Sequence, residues 1–194
     1  SDLPLETQIA VADESPEVRF AAVARLSDSD LLVNVLVQTP WDSRTFYAAV
    51  EKLPDPAHLS RIAVAAVDAS VRRSVVEKLT DSTALSVVAS RSGDNEIRRA
   101  ALAKLEDESG LARVAIESVD PNTSVAAVAK LHDQERLAAV VRSAAPRQAR
   151  LDALARLHAD EMLAGIVTDV GDAEIRLEAL KKLCDPSALL KIAL

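Results

Sequence analysis

Four sets of residues have types and spacing that could do chemistry. Arg19, Arg72, Arg98, Arg150 and Arg176 each stand seven residues before a leucine that recurs along the chain. A row of guanidinium groups could bind phosphate or carboxylate, because the planar fork matches both anions. A second basic row, Arg25, Lys52, Lys78, Lys104, Lys130, Arg156 and Lys182, directly precedes the same leucines and could form a cationic stripe for an acidic partner. His132, His158 and Cys184 share one offset and are of metal-ligating type. Phe20, Trp41, Phe46 and Tyr47 bring every aromatic residue of the chain into one short stretch. Aromatic residues beside arginine are the usual makings of interface hot spots.

The elements that must position these residues follow from the leucines. They fall at Leu26, Leu53, Leu79, Leu105, Leu131, Leu157 and Leu183, with steps of 27 and then 26 residues. A fixed period of this size marks a solenoid, in which each unit buries its apolar face against its neighbours. Eleven residues before most of the leucines stands Asp42, Asp68, Asp94, Asp120 or Asp172, with Ser15 and Pro146 in the remaining two units. These are helix N-cap types, and Pro16 and Pro121 suit the first turn. Apolar residues stand three and four places before each leucine, and Val, Ile, Ala or Thr eight before it, as at Val76, Val75 and Val71. Those offsets share one face at the helical period.

A second helix per unit starts two residues past the leucine, capped by Asp28, Asp55, Asp81, Asp107, Asp133 or Asp185. Its apolar face carries Leu32, Leu85 and Leu111 and their counterparts through Leu189, with Val or Ile three places on, as far as Ile192. The expectation is an all-α chain of about fifteen helices of roughly 9–12 residues, arranged as about seven two-helix repeats.

Composition narrows the function. Nearly half the residues are apolar, mostly Ala, Val and Leu, and the net charge is −7 with a pI near 5.0. That balance argues against a nucleic-acid backbone as the main ligand, which needs an excess of Lys and Arg on one face. One cysteine excludes an internal disulfide framework. No apolar run is long enough to span a bilayer and no signal-peptide pattern is present, so a cytoplasmic location is the expectation. The four glycines, Gly93, Gly110, Gly165 and Gly171, form no phosphate loop, and no spacing proposes a catalytic triad. The expectation is therefore a protein with neither enzymatic activity nor a cofactor.

The segments Asp68–Leu79, Asp94–Leu105 and Asp172–Leu183 carry the pattern Asp-x-x-Val/Ile-Arg followed by a Lys-Leu close. This resembles the second helix of HEAT repeats, in the short form found in bacterial HEAT-like proteins. The resemblance covers essentially the whole chain, although its 26-residue period is shorter than the roughly 40 residues of usual HEAT units. It implies a right-handed α-α superhelix over residues 1–194, a module of a longer chain, that scaffolds a protein or peptide partner. A C-terminal domain or subunit covering the apolar end Leu189–Leu194 is part of that expectation. Two alternatives rest on analogy with other HEAT-like proteins. One is a duplex-cradling, DNA glycosylase-like protein; the other is a tetrapyrrole lyase-like protein acting on a carrier.

Each candidate set also has a plain architectural explanation. On a helical wheel the arginines lie about 20° from the closing leucine, where a cation is costly unless paired. Arg19, Arg72, Arg98 and Arg176, with Asp68, Asp94 and Asp172, then form an Asp–Arg ladder tying units together; the competing explanation is an anion-binding row. The ladder is interrupted at Phe46 and Ser124. The cations before each leucine suit the last turn of a helix, where the dipole favours them. Neighbouring units lie roughly 8–10 Å apart, too far for His132, His158 and Cys184 to share a zinc with ligand bonds of about 2.0–2.3 Å. Phe20, Tyr47, Arg73 and Arg99 share the offset six before the leucine and are candidates for a partner-binding patch with Trp41 at its edge. They could equally fill gaps left by the 27-residue step.

Overall fold

The computed structural model describes residues 4–38 and 43–183. Trp41, Asp42, Cys184, Asp185, Leu189 and Ile192 lie outside them. The described residues form fourteen α-helices and no strand. From α5 onward every helix begins thirteen residues after the one before, at Pro56, Ala69, Ser82, Asn95, Glu108, Pro121, Gln134, Arg147, Asp160 and Ala173. The sequence period of 26 is therefore two ten-residue helices and two three-residue joints, as in Ala69–Lys78 and Ser82–Arg91.

The chain divides into two compact units, Ser1–Lys104 and Leu105–Leu194. The first contains α1 (Leu5–Ala12), α2 (Pro16–Arg25), α3 (Ser29–Gln38), α4 (Ser43–Glu51), α5 (Pro56–Ala65), α6 (Ala69–Lys78), α7 (Ser82–Arg91) and α8 (Asn95–Lys104). Consecutive helices pack as pairs, α1 with α2, α5 with α6 and α7 with α8. The pairs then stack into two layers. Odd helices follow one another as α1, α3, α5 and α7, while α2 packs on α4 and α6 on α8. The second unit contains α9 (Glu108–Glu117), α10 (Pro121–Lys130), α11 (Gln134–Arg142), α12 (Arg147–Arg156), α13 (Asp160–Asp169) and α14 (Ala173–Lys182). It repeats the arrangement, with layers α9, α11, α13 and α10, α12, α14.

The helices start where the sequence provides caps. Asp55, Asp68, Asp81, Asp107, Asp120, Asp133 and Asp172 each accept a backbone N–H from their own first turn. Such a cap stabilises by about 1 kcal/mol. Pro146 and Ala159, which replace the aspartate before α12 and α13, make no such bond.

The seven closing leucines are all buried, from 0 % to 7 % exposed. Each occupies the C-cap or the joint after an even helix. The residues four before them, from Ala22 to Ala179, are buried as well. Val18 (42 % exposed) and Leu180 (41 %) depart from this pattern. They lie on α2 and α14.

Candidate interaction surfaces

The two recurrent cations have a common task, and it concerns backbone. An α-helix leaves its last carbonyls without intrahelical partners. The usual remedy is a glycine in the left-handed conformation just past the helix. Here no described residue has a positive φ, and the C-cap residues, such as Leu79, Ser92 and Ser118, are extended. Side-chain cations take up the carbonyls instead.

The five arginines seven before a leucine reach back to the end of the preceding odd helix. Arg72 Nη1 donates to Ala66 O at 2.6 Å and Val67 O at 3.0 Å. Arg98 Nη1 donates to Ser92 O at 2.8 Å, and its side chain is buried. Arg176 Nη1 holds Val170 O and Gly171 O, both at 2.8 Å, and Arg19 Nη1 holds Asp13 O and Glu14 O. Arg150 follows a joint containing Ala145 and Pro146 and reaches Val141 O through Nε.

The wheel places these residues near the apolar centre, but it describes only the Cα direction. The guanidinium sits at the pair's edge, where the carbonyls are. Aspartates of the following pair face Arg72 and Arg150. Arg72 Nη2 lies 2.8 Å from Asp94 Oδ2, and Arg150 Nη1 lies 3.8 Å from Asp172 Oδ2. The hydrogen bond from Arg72 holds the Asp94 carboxyl below the usual carboxylate range. Asp68 is held low chiefly by its bonds from Ser70.

Five of the residues before the leucines also hold backbone carbonyls, some 25 to 29 residues earlier. Lys52 Nζ donates to Ala24 O at 2.5 Å and Leu26 O at 2.9 Å. Lys104 holds Val76 O and Glu77 O, Lys130 holds Leu105 O, Arg156 holds Leu131 O, and Lys182 holds Leu154 O and Ala155 O. Burial pushes the Lys182 ammonium below the ordinary lysine value. At Lys52, Lys104, Arg156 and Lys182 the expected interaction with the cation's own helix end is thus directed to the even helix of the preceding pair. Lys78 is placed differently, with Nζ 5.0 Å from the centroid of the Tyr47 ring.

That contact belongs to the aromatic stretch. Phe46 is 3 % exposed and fills the arginine position of α4. Its ring meets Tyr47 edge to face, with centroids 5.3 Å apart at 60°. Tyr47 is 43 % exposed, anchored by Phe46 and flanked by Lys78. Phe20 is half-buried on α2, and Arg73 and Arg99 are exposed on α6 and α8. Arg99 lies 4.0 Å from Glu96. The structure brings together Tyr47, Phe46 and Lys78 from this set. Trp41 lies outside the described residues.

His132 and His158 are exposed, and their backbone N–H groups donate to the Glu108 carboxylate and to Gln134 Oε1. Among the described residues no three His, Cys, Asp or Glu side chains converge as metal ligands. No described helix is long and apolar enough to cross a membrane.

One feature is not apparent from periodicity. A groove of about 310 Å³ runs over α5 between α3 and α7, lined by Val33, Val37, Arg61, Val64, Val87 and Arg91 among others. Its signal in the sequence is low charge: α7, STALSVVASR, has one ionised residue in ten. Comparison of the chain with family models, with curated proteins and with solved structures returns no match.

Proposed function

We propose that the chain is a non-catalytic helical-repeat scaffold, a right-handed HEAT-like solenoid of about seven two-helix repeats that binds a protein or peptide. The observation that supports this reading is the engagement of the periodic cations with backbone carbonyls. Five of the seven cations before the leucines, Lys52, Lys104, Lys130, Arg156 and Lys182, hold main-chain oxygens of a neighbouring pair. What repeats is therefore architecture, and a partner is recognised by what departs from the repeat. Tyr47, braced by Phe46 and Lys78, is the clearest departure, and Phe20, Arg73 and Arg99 share its offset on the neighbouring even helices. The same engagement weighs against a duplex-binding protein, because cations tied to carbonyls release few counterions on binding phosphate.

The test is affinity capture of partners by wild type and by Phe20→Ala/Tyr47→Ala, after circular dichroism shows both to be helical. A partner bound by wild type and lost by the variant is the expected outcome. A folded variant that captures every wild-type partner refutes the patch. Unfolding of the variant would assign the aromatics to the core, and Arg73→Glu/Arg99→Glu, both on exposed residues, then tests the surface without disturbing packing.

A further inference from the structure

The groove over α5 lies among the odd helices, away from the residues of the proposed patch. Two hollows form it. One, about 310 Å³, is lined by Val33, Asn34 and Val37 of α3, Ser60, Arg61, Val64 and Ala65 of α5, and Val87 and Arg91 of α7. The other, about 260 Å³, lies toward the helix N-termini beside Asp55, Ala57, Asp81, Thr83 and Ala84. Ser60 and Val87 line both, so the hollows are one channel running the length of α5. A ten-residue helix is about 15 Å long, close to three turns.

The floor is small and uncharged: Ala57, Ser60, Val64, Ala84 and Val87. Its polar group there is already used, since Ser60 Oγ donates to Ala57 O at 2.8 Å. Over the whole of α3, α5 and α7 the ionised residues are Asp30, Arg61 and Arg91, with His58 beside them. Arg61 is tied to Asp30 at the wall. By contrast α9 has Glu108, Arg113 and Glu117, and α11 has Glu135, Arg136 and Arg142. The charges at the two ends of the channel differ in sign. Asp55 and Asp81 cap α5 and α7 at one end, and Arg91 closes α7 at the other.

We propose that this channel is a docking site for one amphipathic helix of a partner protein, laid antiparallel to α5, with an acidic first turn and a basic last turn. Three small-residue turns accept side chains at i, i+3, i+4 and i+7 of such a helix. Its acidic N-terminus lies against Arg91 and its basic C-terminus against Asp55 and Asp81. The macrodipoles agree with the charges. The second hollow lies beside the N-termini of both α5 and α7, so an antiparallel guest sets its negative end against their positive ends. A parallel guest of the same sequence would oppose both terms. The proposal rests on the reading of the chain as an interaction scaffold but uses the other layer of helices.

The probe is a fluorescein-labelled, lactam-bridged helix of about fourteen residues, bridged because free peptides of that length are marginally helical. Leu stands at i, i+3, i+4 and i+7, with Glu in the first turn and Lys in the last. A second probe has the Glu and Lys exchanged. Fluorescence anisotropy against wild type should show binding of the first probe, preferred over the second by about tenfold, the equivalent of one modest charge contact at each end. Val87→Glu places a charge on the half-buried floor and should abolish binding. Arg91→Glu, at an exposed position, should weaken the first probe and remove or invert the preference.

Phe20→Ala/Tyr47→Ala should bind the first probe as wild type does. The channel is refuted if neither probe binds, or if Val87→Glu, shown to be folded, leaves binding intact. Loss of binding in Phe20→Ala/Tyr47→Ala alone would move the helix to the even layer, overturning the channel while sparing the scaffold reading. Retained probe binding with no captured partner for any variant would separate the failures the other way.

Discussion

Replacing Arg72 by Met removes one Nη1 donor shared by Ala66 O and Val67 O and one Nη2 contact with Asp94, while keeping the aliphatic stem in place. Hydrogen bonds from a charged donor contribute about 1.5–3 kcal/mol each. The two carbonyls share one nitrogen, so together they amount to about 2–3 kcal/mol by that measure. The ion pair is partly exposed, at 17 % for Arg72 and 27 % for Asp94, and contributes about 1 kcal/mol or less. Arg72 Nε is buried without a partner, so its removal recovers part of the loss. The expected net cost is about 2–4 kcal/mol, most of it from the carbonyls.

A double-mutant cycle separates the two contributions. Asp94→Asn keeps an acceptor for Glu96 N–H, which Asp94 caps at 2.9 Å. It therefore reports mainly on the pair. Urea unfolding followed by circular dichroism, with midpoints compared at unchanged slope, should give a coupling of about 1 kcal/mol within the larger Arg72→Met cost. A coupling as large as that cost would make Asp94 the anchor. An Arg72→Met cost below about 0.5 kcal/mol, the range of ordinary surface changes, would show that the carbonyl bonds give no net stabilisation. Either result refutes the account of the arginine row.

The remaining expectations can be read on the same unfolding curves. Lys104→Met should cost about 1–2 kcal/mol, since two carbonyls of α6 lose a charged donor. Lys78→Met, which loses a partly solvated contact with Tyr47, should cost about 0.5–1 kcal/mol. Acid should destabilise the fold through Asp68 and Asp94, whose carboxyls are held low in the folded chain. A depressed carboxylate stabilises above the ordinary value of about 3.9 and loses that contribution as pH falls through its folded value. Thermal midpoints should therefore drop below about pH 4, and the gap between wild type and Arg72→Met should narrow there. Two glycines should respond with opposite sign. A Cβ at Gly165 presses on the far end of the exposed Arg142 side chain, which can swing away, and makes ordinary contact with Asp169 Oδ2 at 3.9 Å, so Gly165→Ala should gain up to about 1 kcal/mol of helix propensity. A Cβ at Gly110 would press on Leu105 Cδ1 at 3.0 Å and on the Asp107 cap at 3.2 Å, so Gly110→Ala should destabilise.

Helix positions and core residues were legible because both follow from local rules: an aspartate cap, an apolar offset and a fixed period. Leu59 shows the limit. It occupies the offset of buried Leu85 and Leu111 but is half-buried, since periodicity specifies a face and leaves the depth of cover open. The long cations were harder to read. Arg72 and Lys104 carry their charge several bonds from the backbone, so the Cα angle says little about what that charge meets. The target of each lysine, a carbonyl some 25 to 29 residues earlier, becomes visible only once neighbouring pairs are stacked. The α5 channel arises in a similar way, from small residues on one helix recessed between two others, and no single segment encodes it.

The absence of left-handed residues among those described connects these observations. A helix that ends on a left-handed glycine satisfies its carbonyls locally and turns the chain over several residues. Here the chain leaves a helix directly in an extended residue, as at Leu79 and Ser92, and from α5 to α11 enters the next after a three-residue joint, as from Lys78 to Ser82 and from Arg91 to Asn95. Short joints permit the thirteen-residue half-period, but they leave the last carbonyls without a local partner. Long cations from elsewhere in the stack are the available donors. Basic residues at two recurring places, interrupted at Phe46 and Ser124, supply those donors in a chain with four glycines. The places where that requirement lapses show what replaces it. At Phe46 the arginine is absent and a buried ring supports the exposed Tyr47. Phe46→Arg should then restore a backbone clamp while removing the brace beneath Tyr47. Stability near wild type with weaker partner capture is the expected result, and unchanged capture would show that the Phe46–Tyr47 contact has no part in recognition.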